Sequence, residues 1–172
     1  MAAVINAEIR VGGSGSISDS ATAMSQAAAF GGGILQRLSN GYSAGTGNFQ
    51  VNKWYLARRA LAATTFDNIN LTSGLSALGT TQAFTALKAV LVQIIDPDGT
   101  KKLRVGPQGQ TNANLLWFQA VTTNFWEETY TYILKERPVT GWSVAAASTD
   151  IFSIYNPGAT SITYALWLLG TG

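Results

Sequence analysis

Cysteine and histidine are both absent from the 172 residues. That removes disulfides, thiolate and imidazole metal sites, Cys or His nucleophiles and bases, and every Ser-His-Asp arrangement. Charge is scarce as well: Asp, Glu, Lys and Arg make up 12% of the chain, where an ordinary soluble domain carries about 25%. A formal net charge of +2, with no basic run beyond Arg58-Arg59 and Lys101-Lys102, argues against a nucleic-acid partner. Long apolar runs are missing. The C-terminal run Ala165 to Leu169 is five residues long, against the ~18 that read as a membrane span. The opening MAAVINAEIRVGG has no basic stretch followed by an apolar one, so neither a secretory leader nor a membrane partner is expected.

Hydrophobic residues, by contrast, are 47% of the chain. An isolated monomer keeps a charged surface for solubility. A chain so poor in charge is expected to hide part of its surface against other subunits, and the competing reading is a small monomer with a Ser/Thr/Asn surface. Half of the 18 glycines fall between residues 11 and 50, and the texture changes near Asn48. We therefore divide the chain into a Gly/Ala-rich N-terminal arm, 1–48, and a folded domain, 49–172. Within the arm, Ser18-Asp19-Ser20 can cap a short Ala-rich helix through SATAMSQAAAF, which Gly31-Gly32-Gly33 would end. Such a segment buries too little apolar area to fold alone. It is either a flexible tail or an arm that orders on a neighbour through Ile34, Leu35, Leu38, Tyr42 and Phe49.

Beyond Asn48, strand-like runs alternate with turn residues. VNKWYLARRALAATTF is extended, and INLTSGLSALG is a loop with room for one helical turn. From Phe84 to Ile95 the pattern is apolar on both faces: Phe84, Ala86, Lys88, Val90, Val92 and Ile94 share one, and Leu87, Ala89, Leu91 and Ile95 the other. A central strand, or one covered by another subunit, has that character. Asp96-Pro97-Asp98-Gly99 is a turn, after which Lys101 to Val105 is expected to pair back as a hairpin. A long loop then carries Trp117, Phe118, Phe125 and Trp126. Thr129 to Glu136 alternates, Gly141-Trp142 opens another strand, and Ile151–Tyr155 with Ser161–Leu169 is expected as a closing pair. At least six strands with Gly/Pro turns and no convincing long helix predict an all-β fold, a β-sandwich or jelly-roll-like domain.

Nothing in the sequence assembles a reaction centre. Asp96-x-Asp98-Gly99 lacks the further oxygen ligands of a calcium loop. Glu127 and Glu128 are adjacent, and adjacent strand residues point to opposite faces. We expect no catalytic residue, cofactor or metal. The aromatic residues Trp117, Phe118, Phe125 and Trp126 suit a core, an intersubunit plug or a sugar-stacking platform.

The succession LVQIIDPDGTKKLRVG, a loop with Asn112-Ala113-Asn114, then TYTYILKERPVTGWSVAAASTDIFSIYNPGATSITYALWLLGTG resembles small tailed-bacteriophage virion proteins of the head decoration, or cement, type. The marks are Gly141-Trp142, Val144, Ala146, Asp150, Asn156, Thr163-Tyr164 and Gly170. The resemblance covers about residues 57 to 172 and carries no catalytic residues. Where that pattern has Pro-Gly-Gly, this chain has Phe125-Trp126-Glu127-Glu128. It implies a non-enzymatic virion protein, made in the host cytoplasm, that trimerises on the outer capsid surface and clamps neighbouring major capsid proteins. Candidate subunit and capsid contacts are Ile34, Leu35, Leu38, Tyr42, Phe49, Trp117, Phe118, Phe125 and Trp126. The alternative expectation is a phage tail or surface carbohydrate-binding module using the loop aromatics.

Overall fold

The computed structural model describes residues 42–77, 80–107 and 127–172, together with the backbone alone of short strands before residue 42. The fold is all-β, with no helix among the described residues. Among the described residues nine strands form the sandwich: β1 (Lys53–Leu61), β2 (Phe66–Asn70), β3 (Ala86–Ile94), β4 (Leu103–Val105), β5 (Glu127–Thr129), β6 (Tyr132–Glu136), β7 (Trp142–Ser143), β8 (Ile151–Tyr155) and β9 (Ile162–Thr171). A five-stranded sheet has the order β6-β3-β9-β1, with β7 also pairing β3, and a four-stranded sheet has the order β5-β4-β8-β2. Every neighbouring pair is antiparallel.

These pairings have a simple logic. β1 pairs the last strand β9, β2 pairs β8, β3 pairs β6 and β4 pairs β5. The chain is one long hairpin rolled up so that β1, β3, β6, β7 and β9 fall in one sheet and β2, β4, β5 and β8 in the other, a jelly-roll-like arrangement. Leu103, Val105, Phe152, Ile154 and Ile69 of one sheet face Val90, Val92, Ile94, Leu166 and Leu168 of the other across a buried core. The single-face alternation of antiparallel strands places them there.

Rolling up overturns two expected hairpins. Lys101 to Val105 does not pair back on Phe84–Ile95. Both edges of β3 are taken by β6 and β9, so β4 joins the other sheet beside β5 and β8. Ile151–Tyr155 and Ser161–Leu169 likewise lie in different sheets. Asn156-Pro157-Gly158 is a corner between sheets, not a hairpin turn. Two other expectations shift. Leu75–Ala77 is a short strand paired with Thr80–Gln82, where the sequence left room for a helical turn. Met24–Ala29 is a strand paired with Ser14–Asp19, where a short helix was expected, because ladder pairing outweighs alanine's weak intrinsic preference.

The turn between β3 and β4 is built as its residues predict. Gly99 has φ +80°, and Asp98 Oδ1 accepts from the backbone N–H of Thr100 at 2.9 Å and of Lys101 at 2.8 Å. These donors, Lys101 first, hold the Asp98 carboxyl down to about 2. A carboxyl depressed on folding contributes stability above its unfolded value and loses it as the folded group is protonated. Hence the Thr100 and Lys101 amides should stay protected above about pH 4 and lose protection, relative to the intrinsic exchange rate at each pH, as the pH falls toward about 2, which proton NMR would detect.

Candidate interaction face

The five-stranded sheet is apolar on both sides. Strand alternation sends Ile162, Tyr164, Leu166 and Leu168 of β9 into the core, and Ala165, Trp167 and Leu169 to the opposite, outer side. Register then aligns three rows across that outer side. Tyr132, Gln93, Ala165 and Arg58 form one; Leu134, Leu91, Trp167 and Leu56 the next; Glu136, Ala89, Leu169 and Trp54 the third. Its centre is closed to solvent, Leu91 at 1% and Trp167 at 2% exposure. The rim residues Trp54, Leu56, Ile95, Tyr132 and Leu134 are partly buried. An antiparallel sheet lying on a core by one face ordinarily shows polar residues on the other.

Among the described residues, Tyr42 and Val51 lie over this face. Tyr42 precedes and Val51 ends a short parallel pair, Ser43–Ala44 with Gln50–Val51. Beneath them β3 carries an irregularity in its pairing with β9, between Leu87 and Ala89. Lys88 is the extra residue of this bulge. The bulge returns Leu87 to the core side with Val90, correcting its expected place beside Ala89 and Leu91. Lys88 itself is buried, and its Nζ donates to the carbonyls of Gly47 (3.3 Å), Pro138 (3.2 Å) and Val139 (2.5 Å). Burial pulls its ammonium below the ordinary lysine value. Sequence reasoning missed this role; the signal was a lone cation inside the apolar run FTALKAVLVQII.

The remaining polar clusters are structural in geometry. Arg59 on β1 binds Asp67 on β2 through Nη2 at 2.8 Å, and the Tyr164 hydroxyl donates to Asp67 at 2.6 Å. This clasp ties the two sheets at one end. Its hydrogen bond to Asp67 raises the Arg59 value, and burial foremost raises that of Tyr164. Glu127 and Glu128 do part company: Lys135 pairs the first at 3.1 Å and Arg104 the second at 2.6 Å. No group of three or more Asp, Glu, His or Cys among the described residues could hold a metal ion. No helix of the described residues is long and apolar enough to cross a membrane.

Of the sequence-nominated contacts, Tyr42 is buried at the outer face and Phe49 is exposed at 42%. Phe49 sits in the same short segment as Tyr42, with its N–H donating to the Pro138 carbonyl at 2.9 Å. Ile34, Leu35, Leu38, Trp117, Phe118, Phe125 and Trp126 lie outside the described residues. No protein-family model matches the chain, and no curated protein or solved structure does so either.

Proposed function

We propose that this protein is a non-enzymatic virion component, a decoration or cement subunit that trimerises on the outer head surface and clamps neighbouring major capsid proteins. The observation that carries the reading is the second apolar face, whose centre at Leu91, Trp167 and Leu169 the chain itself closes and whose rim at Trp54, Leu56 and Leu134 it leaves partly open to a neighbour. A sandwich needs one buried interface between its sheets, and this one has an additional apolar layer on the far side. Scarce charge, at 12% of the chain, fits a protein that works packed against others rather than free. The resemblance of residues 57–172 supplies the particle, and jelly rolls recur in viral capsid domains. Fold kinship of that kind is an association, and the face is the physical argument. Burying ~1,000 Å² of apolar surface at such contacts contributes about 25 kcal/mol gross, most of it offset by ordering and association. A small net gain repeated over a shell resists internal pressure.

The deciding experiment is an image of particles incubated with the protein. Density on the outer surface at threefold or quasi-threefold positions is the expected result. Particles that stay bare at saturating protein would sink the proposal. A second reading, a carbohydrate-binding module, is favoured by one feature: Phe66 and Tyr155 pair across the outer side of the four-stranded sheet with ring centres 4.6 Å apart. Aromatic pairs on a flat sheet are one way to stack sugar rings. Specific binding of the free protein on a glycan array would select this reading over the first.

A further inference from the structure

The segment 42–51 is attached to the sandwich by its own set of bonds, and they converge on Lys88. Its ammonium bridges Gly47 of that segment to Pro138 and Val139 in the turn after β6. The Tyr42 hydroxyl donates to the Lys88 carbonyl at 3.2 Å and to Glu136 at 3.3 Å, and the Phe49 N–H donates to the Pro138 carbonyl. The turn itself is seated on the bulge: Arg137 N–H donates to the Lys88 carbonyl at 2.8 Å. Gly141, at φ +71°, leaves no room for a Cβ, which would lie 2.8 Å from the Leu87 carbonyl. Inside the segment the chain closes on itself, Ser43 N–H to Phe49 and Gly45 N–H to Val51. Apolar burial by the segment comes from its two ends, Tyr42 and Val51, which pack in the same cluster as Leu91, Trp167 and Leu169.

We infer that residues 42–51 are a strap, latched by Lys88, that opens as a unit without unfolding the jelly roll and in doing so uncovers part of the outer apolar face. A bulge is where a strand can re-aim one side chain without losing its register beyond it, and here the re-aimed side chain is the only cation in β3. A lysine solvated by backbone carbonyls holds through hydrogen bonds alone, with no carboxylate among its acceptors. Such a contact can be undone locally, because regions held by few apolar contacts open below the global unfolding free energy. The strap stands on this geometry by itself. That its opening admits a neighbouring subunit rests on the reading proposed above.

Amide hydrogen exchange on the full chain tests the strap. Lys88→Met keeps the aliphatic stem and removes every donor. Exchange at Ser43, Gly45, Phe49 and Gln50 should then rise on the order of tenfold to a hundredfold, with Val90–Ile94 and Leu166–Leu168 unchanged. Tyr42→Phe, which deletes one hydroxyl outside the core between the sheets, should raise the same strap amides less and spare the same strands. If Lys88→Met does not fold, Tyr42→Phe decides alone. Unchanged strap amides overturn the latch. Strap and core amides accelerating together overturn the independent opening. Neither result depends on whether the outer face meets another subunit: a strap that opens on particles left bare would retain the device and discard the cement function.

Discussion

Trp167→Ala is expected to lower folding stability by about 3–5 kcal/mol, the range for deleting a large buried aromatic. Trp167 is 2% exposed although it points away from the core between the sheets. Its row neighbours are Leu91 on β3 and Leu56 on β1. Removing the indole leaves a void against Leu91, which is itself closed to solvent, and neighbouring strands held in register cannot collapse into it. Trp167→Lys should be worse, since an ammonium would lie among apolar side chains with no partner of opposite charge in its row. Urea denaturation with tryptophan-independent detection, such as far-ultraviolet circular dichroism, measures the loss. A soluble alanine variant with an unchanged midpoint and normal assembly would show that Trp167 is needed neither for the outer apolar layer nor for assembly.

Asn156→Ala is expected to cost about 2–4 kcal/mol, because several acceptors lose one donor together. The Asn156 side chain is fully buried. Its Nδ2 donates to the carbonyls of Leu61 (3.2 Å), Ala62 (3.0 Å) and Thr160 (2.8 Å), while Oδ1 accepts from Gly158 N–H at 2.9 Å. Leu61 and Ala62 belong to the corner that carries the chain from β1 to β2. Asn156 itself heads the corner from β8 to β9. One amide therefore pins together the two places where the outermost turns of the roll cross between sheets. Asn156→Asp should fare worse than alanine, because a carboxylate would face carbonyl oxygens where Nδ2 now donates. Pro157→Ala, with no hydrogen bond to lose, should change stability by less than about 1 kcal/mol. Equal effects at 156 and 157 would show that the corner, not the amide, matters.

How far the sequence reaches is visible in β3 and β9. Alternation in Ile162–Leu169 sorted both faces correctly, and the two-sided apolar pattern of Phe84–Ile95 announced a central strand. Both follow from a period of two residues, a property of the strand alone. Leu87 escaped because a single extra residue at Lys88 breaks the alternation between Leu87 and Ala89. That shift has no local mark beyond a charge in an apolar run. The alternating stretch Thr129–Glu136 hid a different break: Thr129 ends β5 in one sheet and Tyr132 begins β6 in the other. There the Thr129 hydroxyl accepts from Thr131 N–H at 3.0 Å and donates to the Tyr132 carbonyl at 2.9 Å. Of the residues nominated as contacts, only Tyr42 and Phe49 are among the described ones. Tyr42 is at the face, whereas Leu91, Leu134 and Trp54 join it through register, which no single strand encodes.

By itself, then, the sequence determined that the chain is all-β, where most strands run, which residues turn the chain, and that both sides of the last strand are apolar. Those are consequences of side-chain chemistry within a few residues. Only the tertiary structure decided that Asp96–Gly99 and Asn156–Gly158 cross between sheets instead of closing hairpins, and that Lys88 grips a distant strap. Pairing in a jelly roll joins the first strand to the last, across the 100 residues between Leu61 and Ile162. The free energy that selects it comes from closing the whole core at once, so no local segment carries its record.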